Sequence, residues 1–130
     1  MNEENRHLVL EMIERWNAGE RETVLELAQP DAVLSSTLTQ RIYRGHDGVM
    51  EWISEIDSLF DRWQLRVDGL EELDDGRIVG GGHVLAQGKA SGIALDQSLG
   101  WLFVFRDGKI AELSMFLDAA DARRAAGLDP

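Results

Sequence analysis

The sequence contains no cysteine. That excludes a disulfide framework, a thiolate nucleophile and a thiolate metal site. Proline is scarce as well: only Pro30 and Pro130 occur, and neither interrupts a periodic segment. No apolar stretch approaches the ~18 residues of a membrane-spanning helix, so no membrane association is expected. Positive charge is also in short supply. There are 13 Lys and Arg against 24 Asp and Glu, a net charge of -11. A chain of that sign does not track phosphates, so no nucleic acid partner is expected. Its field repels anions approaching from a distance and says nothing about a neutral ligand. The start, Met1-Asn2-Glu3-Glu4-Asn5, is polar and acidic, unlike the basic start and apolar run of a signal peptide. The expected location is cytoplasmic. His7, His46 and His83 are scattered, with neither His-x-His nor His-Glu-x-x-His among them, so no metal site is expected. Gly80-Gly81-Gly82 does not continue as Gly-x-Gly-x-x-Gly. Glycine inside a strand marks a bulge or a sharp bend, and no cofactor is implied.

What remains is ordinary globular material: 130 residues, 44% hydrophobic and 28% charged. That suits a single domain over residues 1–130 with a sizeable core. Leu8, Met12, Ile13 and Trp16 recur at helical spacing and predict a helix over 3–17. Asn17-Ala18-Gly19 is its stop. A second helix is expected from Glu20 to Ala28, ended by Pro30-Asp31, then a strand over 32–38. Val49, Trp52, Ile53, Ile56, Leu59, Phe60 and Trp63 share one face of a third helix, with Asp47 as its N-cap. The second half reads as strands: 65–73, a turn at Asp74-Asp75-Gly76, 77–87, 95–105, and a segment alternating over 110–117. Asp107-Gly108 is the strongest tight-hairpin signal, because both central residues of a type I′ turn need φ > 0. A short helix over 119–126 ends at Gly127. Helices segregated from a mostly antiparallel sheet mean α+β. In the last strand, alternation sends Ala111, Leu113, Met115 and Leu117 to one face and Ile110, Glu112, Ser114 and Phe116 to the other. The first set is expected to face inward and the second outward.

This order and several local motifs resemble the SnoaL-like branch of the nuclear-transport-factor-2-like superfamily. The motifs are Trp16-Asn17-Ala18-Gly19-Glu20, Tyr43-Arg44-Gly45-His46-Asp47-Gly48-Val49, Phe105-Arg106-Asp107-Gly108-Lys109-Ile110, Phe116-Leu117-Asp118 and Ala125-Ala126-Gly127-Leu128. They are caps, turns and core, so they speak for fold more than for function. The resemblance implies a cone: a strongly curved, mostly antiparallel sheet closed by three to four helices around a pocket. It also implies a homodimer through the outer sheet face, where Ile110 and Phe116 would lie. Ketosteroid isomerases of this superfamily use an aspartate near the end of the first strand and a protonated aspartate in a later strand. The corresponding positions here are Ser35 or Ser36, and Trp101. Met115 stands where many SnoaL-like proteins carry an acidic residue. A hydroxyl, an indole and a thioether do not replace carboxyl groups in proton transfer near neutral pH, so isomerase chemistry of that kind is not expected.

The candidate site follows from what is left. His83 sits mid-strand; it either faces the cavity as an acid-base group or is a hydrogen-bonded strand histidine. Ser36 and Tyr43 would assist it, though packing alone also accounts for Tyr43. Trp52, Trp101, Met115 and Phe60 are expected as apolar walls, and the same residues serve equally as plain core. Two functions fit. One is a pocket for a small hydrophobic molecule, bound or turned over in an isomerase, cyclase or hydrolase reaction, with a cavity of roughly 300–1,000 Å³. The other is a non-catalytic association domain whose sheet face pairs with itself or another protein.

Overall fold

Among residues 2–130, which the computed structural model describes, the elements run α1 (Asn2–Asn17), α2 (Thr23–Glu26), β1 (Ala28–Ser36), β2 (Arg41–Arg44), α3 (Gly45–Leu59), β3 (Phe60–Glu72), β4 (Ile78–Gly88), β5 (Ala94–Arg106), β6 (Lys109–Phe116) and α4 (Ala119–Ala125). The strands form one sheet in the order β2-β1-β6-β5-β4-β3. All neighbours are antiparallel except β1 and β6, which are parallel. The sheet is curved and open, an α+β cone. α1 and α3 close its inner face over one large core. α4 covers part of the outer face over a small second core of Leu73, Val79, Leu102, Ala122 and Ala126. Among the described residues no helix is long and apolar enough to cross a membrane.

Several turns behave as their residues dictate. Asp107 and Gly108 both have positive φ, 53° and 76°, as a type I′ turn requires. Gly19 takes φ 92° just past α1, where its missing Cβ removes the strain. Asn17 does more than stop that helix. Its side chain donates to Leu65 O at 2.8 Å and accepts from Leu65 N at 2.8 Å. It therefore pairs with the free edge of β3 as a strand would, covering part of an edge that is otherwise open to association.

The glycines of β4 answer two different demands. Gly81 pairs with Gly100 across β4 and β5. A Cβ on Gly81 would stand 2.6 Å from the Ala119 Cβ, and one on Gly100 would stand 2.0 Å from the Asp118 carbonyl oxygen. This bare pair is the seat of α4. Gly80 and Gly82 lie opposite a register shift between Val67 and Gly69. A β-bulge there bends β3 towards them, which is the bend expected of the triple glycine.

Five expectations change. The second helix is a single turn, and the chain is already extended at Ala28; Pro30 lies inside β1, at its irregularity, where a missing N–H is tolerated. A short strand, β2, precedes α3. α3 ends at Leu59. Phe60 has φ -131° and ψ 139°, so Phe60 and Trp63 belong to β3, paired with Gly88 and Ala86. Spacings of three and four residues do not distinguish a helix face from a helix followed by a strand whose inward side continues it. Arg44 holds the N-cap position of α3 without a side-chain hydrogen bond, and Asp47 lies in the first turn. Finally, Ile110 faces inward. A register shift between Val104 and Phe105 pairs Phe105 with Ile110 but Val104 with Glu112. The extra residue, Ala111, resets the alternation, so Ile110, Leu113 and Met115 share the inner side. Phe116 does face outward, but beneath α4 in the second core.

Candidate functional site

The inside of the cone is divided. Its deep part, beneath α1 and α3, is an almost filled apolar cavity of about 50 Å³. Its walls include Trp16, Trp52, Trp63, Trp101, Phe103 and Met115. The open end, between α3 and the sheet, is a second cavity of about 270 Å³. Trp52, Trp63 and Met115 line both and form the partition. Neither space reaches the size expected for a ligand pocket of this fold. Four tryptophans fill what smaller side chains would leave open.

The mouth gathers polar groups on an aromatic wall. Trp52 from α3 and Phe60 and Trp63 from β3 supply the wall; Ser36, Thr39, Glu55 and Gln97 supply the polar groups. Phe60 and Trp63 have ring centroids 5.0 Å apart. The Trp63 N–H is covered and has no hydrogen-bond partner, although the residue lines the mouth. The cavity therefore meets ring carbon there and not the donor.

Ser36 closes β1 and is buried; its Oγ is 3.4 Å from the Thr39 backbone N–H. Ser35, one residue earlier, points to the other side and bonds Ser114 Oγ at 3.1 Å. Period-2 alternation decides between the two serines. Ser36, Trp101 and Met115, the positions at which the resemblance would place carboxyl groups, all face the interior. Trp101 is 2% exposed and belongs to the deep cavity, not to the mouth.

Tyr43 is buried. Its hydroxyl donates to Glu55 Oε2 at 2.7 Å and lies 3.2 Å from Thr39 Oγ1. A carboxylate only accepts, so the phenol proton goes to Glu55 and Thr39 donates in turn. Burial raises the Tyr43 pKa, and its hydroxyl stays a donor. Tyr43 is thus a positioning residue behind Glu55 and not a group free in the cavity. Arg41 from β2 completes the arrangement. It bonds Glu55 Oε1, reaches Glu51 Oε1 at 2.6 Å, and lies 4.8 Å from the centre of the Tyr43 ring.

His83 is on the other side of the sheet. Gly82 and Val84 face inward, so His83 between them faces out. Its Nδ1 is 2.5 Å from Asp96 Oδ1 and its Nε2 is 3.5 Å from Asp68 Oδ2. It lines a shallow groove on the outer face beside α4 and takes no part in the mouth. His46 bonds the Ala28 carbonyl at 3.2 Å. Among the described residues no group of three or more His, Asp or Glu is placed to hold a metal ion.

The sequence profile of the SnoaL-like domain matches residues 9–113. The chain belongs to the SnoaL-like domain family. Its matched part runs from within α1 into β6 and contains every residue of the mouth except Met115. No curated protein matches in sequence. Solved structures of SnoaL-like shape are many. A nuclear-transport-factor-2-like protein of unknown function from Burkholderia pseudomallei is 20% identical, with a TM-score of 0.80 over 93% of this chain and 95% of that one. A putative polyketide cyclase from Xanthomonas campestris is 19% identical, with a TM-score of 0.81 over 88% and 91%. A hypothetical protein of ketosteroid-isomerase-like fold from Catenulispora acidiphila, in complex with trimethylamine, is 12% identical, with a TM-score of 0.77 over 93% and 92%. At these identities the likeness is one of fold.

Glu55 and Gln97 were missed in the sequence, and each had a signal. Glu55 stands three residues after Trp52 inside the apolar stripe of α3, where a helix face continues. Gln97 lies between Leu95 and Leu99, on the same side of its strand.

Proposed function

We propose that the protein binds a small, largely apolar molecule in the mouth of the cone, without a cofactor. The carrying observation is the convergence of Ser36, Thr39, Glu55 and Gln97 on one cavity walled by Trp52, Phe60 and Trp63. Binding is favoured over turnover because Glu55 is the only carboxylate in the mouth among the described residues, and both its oxygens are engaged, by Arg41 and Tyr43. A group so held orients a ligand better than it shuttles protons. A protein of similar fold from Catenulispora acidiphila has been crystallised in complex with trimethylamine, which is compatible with this reading. The test uses the neutral fluorescent probe N-phenyl-1-naphthylamine. It is expected to bind one per chain with a rise in fluorescence. Leu95 is 37% exposed at the rim, so Leu95→Trp should fill the mouth without disturbing the core and weaken binding at least about tenfold, roughly 1.4 kcal/mol. Absent binding, or binding indifferent to Leu95→Trp, would reject the proposal.

The expected homodimer is part of the same proposal, with a different seat. Ile110 is inside and Phe116 is under α4, so neither is on offer. The outer face beyond α4 carries Ile42, 58% exposed, and a row of Val33, Glu112 and Val104. Light scattering at micromolar concentration is expected to give twice the chain mass, and Ile42→Lys to halve it with an unchanged melting temperature. A wild-type monomer would end the idea.

A further inference from the structure

The charges of the mouth bear on which ligand the binding site proposed above would take. Glu55 is the one ionisable residue among the described residues that line it. Its counter-ion is shared, since Arg41 also holds Glu51 Oε1 at 2.6 Å. Two carboxylates on one guanidinium leave one negative charge over. That charge stands at the rim of a mostly apolar cavity, in a chain of net charge -11, and charges of one sign lining a low-dielectric cleft focus the field there. Gln97 inclines the same way. Gln97 gives an N–H to the Ser98 carbonyl at 3.2 Å, which leaves its amide oxygen as an acceptor. The wall beside them is aromatic: Trp52, Phe60 and Trp63, the last with its N–H covered. Aromatic faces attract cations, more strongly when both are desolvated.

We infer that the mouth selects an organic ammonium ion with an apolar body, the cationic head near Glu55 and Gln97 and the body on Trp52, Phe60 and Trp63. An anion meets the surplus negative charge. A neutral molecule of the same shape fills the same walls but gains nothing from Glu55. Glu51 acts from outside the cavity, by drawing off half of Arg41.

Three probes separate the outcomes: benzyltrimethylammonium, its carbon isostere neopentylbenzene, and phenylacetate. Each is titrated against the intact chain by tryptophan fluorescence. The cation is expected to bind at least about tenfold more tightly than the isostere, and phenylacetate more weakly than both. Glu55→Gln keeps an acceptor for Tyr43 and should bring cation and isostere within about threefold, leaving the isostere unchanged. Glu51→Gln lines nothing in the mouth; by returning Arg41 wholly to Glu55 it should weaken the cation several-fold and spare the isostere. An isostere or anion that binds as well as the cation overturns the ammonium inference while the binding reading stands. A cation preference that survives both substitutions also overturns it. If none of the three probes binds and N-phenyl-1-naphthylamine does not bind either, both fall.

Discussion

Gly82→Ala is expected to cost about 3 kcal/mol or more of folding stability. A Cβ at that position would stand 1.8 Å from the Arg66 carbonyl oxygen and 3.1 Å from the Trp101 ring. Backbone on one side and a fully buried indole on the other leave no cheap direction of escape. The bulge of β3 would have to slide, and a one-residue slip turns inward side chains outward. Urea unfolding provides the measurement: the midpoint should fall sharply. Gly69→Ala is the control. It sits in the same bulge, yet its Cβ would meet nothing within 4 Å, and it should stay within about 0.5 kcal/mol of wild type. Equal losses at the two sites would show that close approach is not what the glycine provides.

Trp101→Ala is expected to cost about 3–5 kcal/mol, because the indole is 2% exposed and lines the deep cavity. The distinctive consequence is a gain. The space vacated adjoins an existing void of about 50 Å³ bounded by apolar side chains, and an apolar cavity of aromatic size stays dry and accepts benzene. Saturating benzene should therefore raise the melting temperature of Trp101→Ala by clearly more than it raises that of wild type. No shift in the variant would mean that the cone collapses on the vacancy. The result bears on function too: Trp101 is part of the reason that the deep half of this cone is core and only the mouth is open.

Much of the architecture was legible. The stripe from Val49 to Trp63 gave α3, though it ran on past the helix end at Leu59; Asp107-Gly108 gave the last hairpin and the triple glycine a bend. These signals are local: they rest on side-chain period, on φ > 0 and on absent Cβ atoms, each a property of a few consecutive residues. The site was legible in part. Ser36, Trp52, Phe60 and Met115 were expected in the pocket and line the mouth. Tyr43 was expected there and stands behind it. His83 was expected there as an acid-base group and lies across the sheet. A single residue of phase separates the two faces of a strand, and composition does not record phase.

By itself the sequence determined the class of fold, the exclusion of thiol chemistry, and the sign of the field that any ligand meets. Those follow from periodicity, from a residue type that is missing, and from a sum of charges. Tertiary structure alone decided the rest. The bulge at Ala111 turned Ile110 inward and removed it from the outer surface. The strand partner of Phe60 ended α3 and carried Trp63 to the wall of the mouth. The pairing of Arg41 with both Glu51 and Glu55 made a lone carboxylate into a held one. Each of these depends on which backbone lies alongside which, and a strand's partner is chosen by residues far away in the chain.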